Sequence, residues 1–195
     1  MIKSHQGVME ELKDYASPKA RLTRMLKSGS LIQVRRGLFV ESLAVSRRAL
    51  APVIYGPSYI SFQYALAVYG LIPERVEAIT SASYGKNRDK LFRTPLGEYR
   101  YFYLPVAVYP YGLRQDEEDG AAYLIATAEK ALCDSVYKVS GATSLDDVEA
   151  LLLEDWRMEA ERLRELDRDF VEWIAPRYGR RSVSALAAWL KKEAG

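Results

Sequence analysis

The stretch from Ser17 to Val40 reads SPKARLTRMLKSGSLIQVRRGLFV, and the predicted fold of this chain depends on it. Ser17 followed by Pro18 favours a helix start, because a serine oxygen can cap free backbone amides and proline suits the first helical position. Apolar residues then recur at helical spacing as far as Leu26, and Gly29 suits a left-handed helix end. The stretch therefore opens with a predicted basic helix over about residues 18–27.

Two short β-rich runs, Leu31–Val34 and Gly37–Val40, follow this helix. They are separated by Arg35 and Arg36, and a glycine at position 37 permits a tight turn between them. We therefore predict a two-stranded ribbon with arginines at its tip. A helix, a basic helix and then a ribbon is the order of elements in a winged helix-turn-helix.

The flanking sequence sets the predicted domain organisation. Apolar residues at helical spacing predict a short amphipathic helix over residues 7–15. Residues 47–57 contain Pro52, Gly56 and Pro57 and are predicted to be a connector, which places the domain boundary near residues 45–57. The predicted class is α+β. It comprises a winged helix-turn-helix domain at 1–48 and a mixed α/β domain at 56–195, with C-terminal helices from about 144.

Charge is unevenly divided along the chain. Residues 1–51 carry ten lysines and arginines against four acids, a net charge of +6, and the whole-chain value of +2 leaves −4 for the remainder. A basic end on a mildly acidic body is typical of a protein that approaches phosphate with that end. The alternative for these cations is an ordinary solvated surface. The candidate DNA-binding residues are Ser17, Lys19, Arg21, Arg24, Lys27, Arg35 and Arg36, whereas Arg47 and Arg48 fit either a DNA contact or another role.

The rare residue types exclude several kinds of site. His5 is the only histidine and lies in an N-terminal segment that we expect to fray, so a Ser-His-Asp triad and a multi-histidine metal site are excluded. Cys133 is the only cysteine, which excludes an internal disulfide. Carboxylate-only magnesium chemistry stays open, because oxygen ligands suffice for that ion. We predict no cofactor. The absence of a signal-like apolar run and of a membrane-length segment predicts a cytoplasmic protein, and a single cysteine agrees with a reducing compartment.

The second domain is predicted to alternate helices and strands before it becomes helical. The predicted elements are a helix at 58–69 ended by Gly70, a strand at 76–83, an antiparallel hairpin of 91–94 with 99–104, an acidic loop at 114–120, a strand at 122–126, a helix at 128–138 capped by Thr127, and helices near 144–154, 158–175 and 181–193, with Gly179 between the last two.

Several conspicuous residues in this domain have structural interpretations. Phe62, between Ser61 and Gln63, is interpreted as a core residue, and Cys133 as a small buried one. Thr127, Glu129 and Lys130 at a helix start are interpreted as helix-capping and surface-paired residues rather than as a catalytic pair, and Asp134 is interpreted in the same way. Half-buried sheet packing accounts for the tyrosine-rich hairpin. A solvated loop is the interpretation for Asp116–Asp119, although such a loop could also mimic nucleic acid.

Three stretches together resemble the AbiEi family of abortive-infection antitoxins, from type IV toxin–antitoxin systems. They are Ser30–Val40, Pro57–Leu66 with Gly70–Glu74, and Ala126–Asp134, and the resemblance covers about residues 8–140. It implies an N-terminal winged helix that represses its own operon and a second domain associated with neutralising a nucleotidyltransferase-like toxin. The helical end from about residue 144 lies outside the resemblance.

The principal hypothesis is therefore an autorepressing antitoxin that binds an inverted repeat in duplex DNA as a dimer or as paired monomers. A second hypothesis is an enzyme that processes nucleic acid with carboxylates and magnesium. A third is a solitary regulator, or an adaptor whose basic end serves RNA or a protein partner. The first hypothesis predicts no catalytic residues.

Overall fold

The computed structural model of the chain describes residues 1–193, so the last two residues of the predicted second domain lie outside the described range. The class is α+β, as predicted. The elements are β1 (Ile2–Ser4), α1 (His5–Glu11), α2 (Pro18–Ser28), β2 (Ile32–Arg35), β3 (Leu38–Val40), α3 (Arg47–Ile54), β4 (Ser58–Ile60), α4 (Phe62–Val68), β5 (Ile79–Ser83), β6 (Lys90–Thr94), β7 (Gly97–Tyr103), β8 (Leu113–Glu118), β9 (Ala121–Ala126), α5 (Ala128–Lys138), α6 (Leu145–Glu149), α7 (Ala160–Arg164), α8 (Arg168–Tyr178) and α9 (Arg181–Lys192).

Residues 1–41, here called the head, form a three-stranded sheet covered by two helices. The strand order is β1-β3-β2, and both pairings are antiparallel. The predicted ribbon β2–β3, here called the head hairpin, is confirmed. Strand β1 was not predicted, and the N-terminal segment was expected to fray. Its pairing with β3 depends on residues more than thirty positions away, for which a local pattern gives no signal.

The central strand β3 is buried on both of its faces. Phe39 packs with Val8, Leu22 and other apolar residues of α1 and α2 in a small core inside the head. Leu38 and Val40 point the other way and belong to the large core of the rest of the chain. The small sheet therefore lies between its own two helices and residues 47–193, here called the body.

Helix α3 occupies most of the segment that was predicted to be a connector. The hydroxyl oxygen of Ser46 accepts a hydrogen bond from the backbone N–H of Ala49 at 3.0 Å and caps the helix start. Leu50 and Ile54 on the inner face are fully buried. Pro52 suggested an interruption, but burial of this apolar face outweighs the one backbone hydrogen bond that proline removes. The connector prediction is wrong for residues 47–54.

The body is built on a six-stranded mixed sheet in the order β6-β7-β5-β4-β9-β8. Pairs β5–β7 and β4–β9 are parallel, and the others are antiparallel, including the predicted hairpin β6–β7. Two predictions are wrong here. Ser58–Ile60 is a strand rather than the first turn of a helix, and the acidic segment 113–118 is the edge strand β8 rather than a loop.

Among the helices of the body, α5 contacts α4, α8 and α9, and α9 also contacts α6 and α8. The predicted start of α5 is confirmed, because the hydroxyl of Thr127 accepts the backbone N–H of Lys130 at 3.4 Å. The predicted helix over 158–175 divides into α7 and α8, where Asp167 caps a new start. Within residues 1–193, no helix combines the length and apolar character needed to cross a bilayer.

Candidate nucleic-acid interface

Helix α2 presents most of its positive charge to solvent. Lys19, Arg24 and Lys27 are exposed, while Leu22 on the opposite side is buried. Arg21 is half-buried, and its guanidinium lies 5.1 Å from the centre of the Tyr15 ring. The nitrogen Nε of Arg21 is buried and has no hydrogen-bond partner among the described residues.

The two ends of α2 are fixed by different means. Ser17 occupies the N-cap position, yet its side chain caps no backbone amide of the helix, so the predicted serine cap is absent. Pro18 at the first position supplies a fixed φ and leaves one fewer free amide to satisfy. At the other end, Gly29 adopts a left-handed conformation with φ of 73°, as predicted. Ser17 is exposed, which leaves its hydroxyl available at the positive end of the helix dipole.

The head hairpin carries two exposed arginines. Arg35 ends β2, where the pairing register shifts between Gln33 and Arg35, and Arg36 lies in the turn. Gly37 completes the turn with φ of 81°, and its carbonyl accepts the backbone N–H of His5 at 2.9 Å. The hairpin turn is thereby tied to the start of α1. The irregular register and the positive φ both turn the chain sharply, and they place the two arginines at the tip.

Most of the acids in the head form ion pairs with lysines. Lys3 forms ion pairs with Glu11 at 2.6 Å and with Glu41 at 2.8 Å. Its hydrogen bonds to these two carboxylates raise the pKa of Lys3, and the bond from Lys3 lowers the pKa of Glu41. Lys13 pairs with Glu10 at 2.6 Å. These three carboxylates are therefore neutralised locally.

The cations of α2 and of the hairpin tip have no such partners. Within residues 1–193, no carboxylate lies within ion-pair distance of this set, which comprises Lys19, Arg21, Arg24, Lys27, Arg35 and Arg36. The head thus has unneutralised positive charge on one helix and one hairpin. The six residues and Ser17 all belong to the predicted site, and the structure leaves each of them at least partly accessible.

Arg47 and Arg48 have structural partners in the body. Arg48 donates from Nε to the hydroxyl of Tyr64 and from Nη1 to that of Tyr123, both at 3.2 Å. Arg47 donates to the carbonyl of Glu77 at 2.8 Å. Both side chains therefore hold α3 against the sheet.

A buried polar cluster lies in the body and was missed by the sequence analysis. Lys130 and Asp134 are fully buried and form an ion pair one helical turn apart in α5. Asp134 also accepts hydrogen bonds from the hydroxyls of Tyr59 at 3.1 Å, Ser61 at 2.6 Å and Tyr178. The prediction of surface pairing for Lys130 and Asp134 is therefore wrong. A Lys-x-x-x-Asp pair has the same spacing on an exposed helix, so the sequence alone does not reveal its burial.

The cluster connects three parts of the body: β4 with the residue after it, α5 and α8. The ammonium of Lys130 donates to the hydroxyl of Tyr59 at 2.7 Å as well as to Asp134. Burial, followed by the charge of Asp134, raises the pKa of Tyr59 and of Tyr178 well above the usual range. Each charged group has several partners, so the cluster is a satisfied structural network that solvent does not reach.

Other conspicuous residues have the predicted packing roles. Phe62 is buried, and Cys133 is fully buried with the pKa of its thiol raised by burial. In the tyrosine-rich hairpin Tyr99 and Tyr101 are buried, whereas Tyr103 is exposed, which confirms the half-buried packing. Within residues 1–193, no three His, Cys, Asp or Glu side chains come together as a metal site.

One exposed cluster on the body has the composition of a protein-binding surface. Trp173 is 44% exposed and Tyr111 is 40% exposed. Their ring centres lie 4.9 Å apart, and the guanidinium of Arg177 lies 3.8 Å from the centre of the Trp173 ring. Tryptophan, tyrosine and arginine are the residues that most often dominate binding energy at protein interfaces.

The chain matches no known protein-family model and no curated protein sequence. The proposal of a function for this chain therefore draws on the unpaired cations of the head and on the exposed side chains of the body.

Proposed function

We propose that this chain is a DNA-binding transcriptional regulator whose head binds duplex DNA as a winged helix. The observation that carries the proposal is the segregation of charge in the head. The acids Glu10, Glu11 and Glu41 are paired with lysines, while the cations of α2 and of the head hairpin have no carboxylate partner among the described residues. Unneutralised cations on one helix and one hairpin are the electrostatic requirement for contacting phosphates.

The order of elements supports the assignment of roles. In a winged helix-turn-helix, the second helix enters the major groove and the ribbon contacts the adjacent backbone. Helix α2 would then present Lys19 and Arg24 to the groove or its phosphates. Arg35 and Arg36 at the hairpin tip would contact the flanking backbone or a narrow minor groove, which attracts arginine. The β1 strand and the bond from His5 to the turn would fix the hairpin relative to the helices.

We further propose that the regulator is an autorepressing antitoxin of a type IV toxin–antitoxin system, with the body acting against a nucleotidyltransferase-like toxin. The resemblance of residues 8–140 to the AbiEi family supports this part. The exposed cluster of Tyr111, Trp173 and Arg177 provides a surface of suitable composition for a protein partner. Two heads bound to an inverted repeat would make the functional unit a dimer or a pair of monomers on DNA.

The DNA-binding part is tested by fluorescence anisotropy with a duplex from upstream of the protein's own gene and a scrambled duplex of equal length. We expect tighter binding to the upstream duplex, and weaker binding to both when Arg35 and Arg36 are changed to alanine. The control variant, Arg168→Ala with Arg181→Ala, removes two exposed cations from the body. Equal affinity of the wild-type chain for both duplexes would overturn the regulatory role.

The antitoxin part is tested separately in cells. If a nucleotidyltransferase-like reading frame adjoins the gene, its expression alone should arrest growth, and co-expression of this chain should restore growth. Trp173→Ala with Arg177→Ala should reduce this rescue if the exposed cluster contacts the partner. Growth arrest that persists with wild-type protein present would overturn the antitoxin role and leave the DNA-binding proposal unaffected.

A further inference from the structure

A second group of cations without carboxylate partners lies in the body, on the loop that leads into strand β6. Among the described residues, Lys86, Arg88 and Lys90 make no ion pair, and Arg88 and Lys90 are exposed. The one acid of this segment, Asp89, is engaged elsewhere. Its carboxylate pairs with Lys138 at 3.1 Å and accepts the backbone N–H of Tyr103. The segment Lys86–Lys90, here called the basic loop, therefore presents three cations and one neutralised acid.

The first cation of the basic loop lies over a ring of an aromatic group. The ammonium of Lys86 lies 5.3 Å from the centre of the Tyr55 ring. The rings of Tyr55, Phe92 and Tyr101 contact one another, with centres 5.3 to 5.7 Å apart. Lys90 is directly opposite Tyr101 in the β6–β7 pairing, and directly opposed residues share a sheet face. Lys86 and Lys90 thus belong to the sheet face that carries this aromatic group.

Tyr101 of this aromatic group belongs to the core to which the head hairpin also contributes. This core contains Val34 of β2, and the hydroxyl of Tyr101 donates to the carbonyl of Ala51 in α3 at 2.7 Å. Burial raises the pKa of Tyr101. The charge of Arg35, the residue after Val34, is near enough to lower that pKa in part. Arg35 at the end of β2 and Lys90 at the start of β6 are therefore both near Tyr101.

We propose that the basic loop forms a second phosphate-binding element beside the head hairpin, so that duplex DNA bound by the head also contacts the body. This inference rests on the proposed DNA-binding function. Phosphate suits the site because the loop offers two exposed cations, Arg88 and Lys90, next to the half-buried Lys86. Such surface contacts add affinity without reading sequence. The body would then extend the footprint to one side of each head and help to fix the orientation of the head on the duplex.

The test compares the salt dependence of duplex binding for the wild-type chain, Lys86→Ala/Arg88→Ala/Lys90→Ala, and the matched control Arg168→Ala/Arg181→Ala/Lys192→Ala. Each phosphate contact contributes about 0.9 to the slope of log affinity against log salt concentration. We expect the loop variant to lower the magnitude of the slope by about 2 to 3, and the control to leave it unchanged. The loop variant should also protect fewer nucleotides in a hydroxyl-radical footprint.

Arg88→Glu provides a second variant that leaves the packing of the body undisturbed, because no described residue bonds to the exposed Arg88 side chain. It should weaken duplex binding about tenfold or more at low salt. If the wild-type chain binds duplex DNA and both loop variants keep its slope, affinity and footprint, this inference is overturned while the proposed function stands. Binding of the loop to an acidic protein instead of DNA would give the same result. Absence of wild-type binding to any duplex would overturn the proposed function together with the inference.

Discussion

Nη1 of Arg48 in α3 lies 3.4 Å from Oε1 of Glu118 at the end of β8, and this ion pair joins the segment that follows the head to the far edge of the body sheet. The other carboxylate oxygen of Glu118 accepts the hydroxyl of Ser46 at 2.7 Å. Ser46 also caps α3, so one carboxylate holds both the cap residue and the second residue of this helix. The acidic strand β8 therefore has a structural role that its charge pattern conceals.

Removing this carboxylate should weaken the attachment of α3. We expect Glu118→Ala to lower the free energy of unfolding by about 1 kcal/mol, a modest value because both side chains of the ion pair are about one-third exposed. Urea unfolding followed by circular dichroism measures the change. The matched control is Glu117→Ala, which removes an exposed carboxylate from the adjacent position of the same strand. Equal stability of the two variants would contradict the role given to Glu118.

The buried cluster should be intolerant of a single change and more tolerant of a paired one. Asp134→Ala leaves the buried ammonium of Lys130 without its counter-charge, which should cost about 3 to 5 kcal/mol. Lys130→Met with Asp134→Leu removes both charges and should be closer to the wild type in guanidinium unfolding. A double variant that is less stable than Asp134→Ala would contradict this prediction. It would show that the cluster stabilises the body by more than the pairing of the two buried charges.

The same cluster predicts a fall in stability in alkali. Tyr59 and Tyr178 ionise near pH 10 in the unfolded chain, but their folded-state pKa values are raised by burial and by the charge of Asp134. Above pH 10 the folded state thus binds more protons than the unfolded state. The contribution of these two tyrosines to the free energy of unfolding is fully present below pH 10. Above it, this contribution falls by about 1.4 kcal/mol per pH unit for each tyrosine.

Urea unfolding between pH 8 and pH 11 measures this dependence. Tyr178→Phe should reduce the steepness of the decline, since one titrating group is removed, whereas Tyr111→Phe at an exposed position should leave the steepness unchanged. The prediction fails if stability is constant from pH 9 to pH 11 in the wild-type chain.

Two glycines of the head should respond differently to alanine. Gly29 ends α2 with φ of 73°, so Gly29→Ala should lower stability by about 1 kcal/mol through backbone strain alone, because open space surrounds the position of the added methyl group. Gly7 lies inside α1, and its added methyl group would meet only the Ser4 hydroxyl at 3.4 Å. Gly7→Ala should therefore be neutral or stabilising by up to about 1 kcal/mol. Thermal unfolding of both variants checks this difference.

Features set by neighbouring residues were predictable from the sequence. Gly29 at the end of α2, Thr127 at the start of α5 and the hairpin turn at Gly37 depend on backbone preferences within a few residues. The charge of the candidate interface could also be predicted, because the cations of α2 and the hairpin tip follow from composition along the chain.

Features set by distant partners were not predictable. Strand β1 exists because residues 38–40 are available to pair with it, and the acidic strand β8 has Glu118 bound to Ser46 and Arg48 about 70 positions away. Lys130 and Asp134 have helical spacing that fits a surface pair equally well. Their burial is made favourable by Tyr59, Ser61 and Tyr178, which lie outside α5 and hydrogen-bond to the pair. Each of these features depends on tertiary contacts that override a local pattern.

The salt dependence of duplex binding is the sharpest test of DNA binding by the head. Affinity for the upstream duplex should fall linearly with salt concentration on logarithmic axes, and Arg35→Ala with Arg36→Ala should lower the magnitude of the slope by about two, since each arginine would neutralise one phosphate. Arg168→Ala with Arg181→Ala should leave the slope at the wild-type value. A hairpin variant with the wild-type slope and affinity would contradict the claim that the head hairpin contacts DNA.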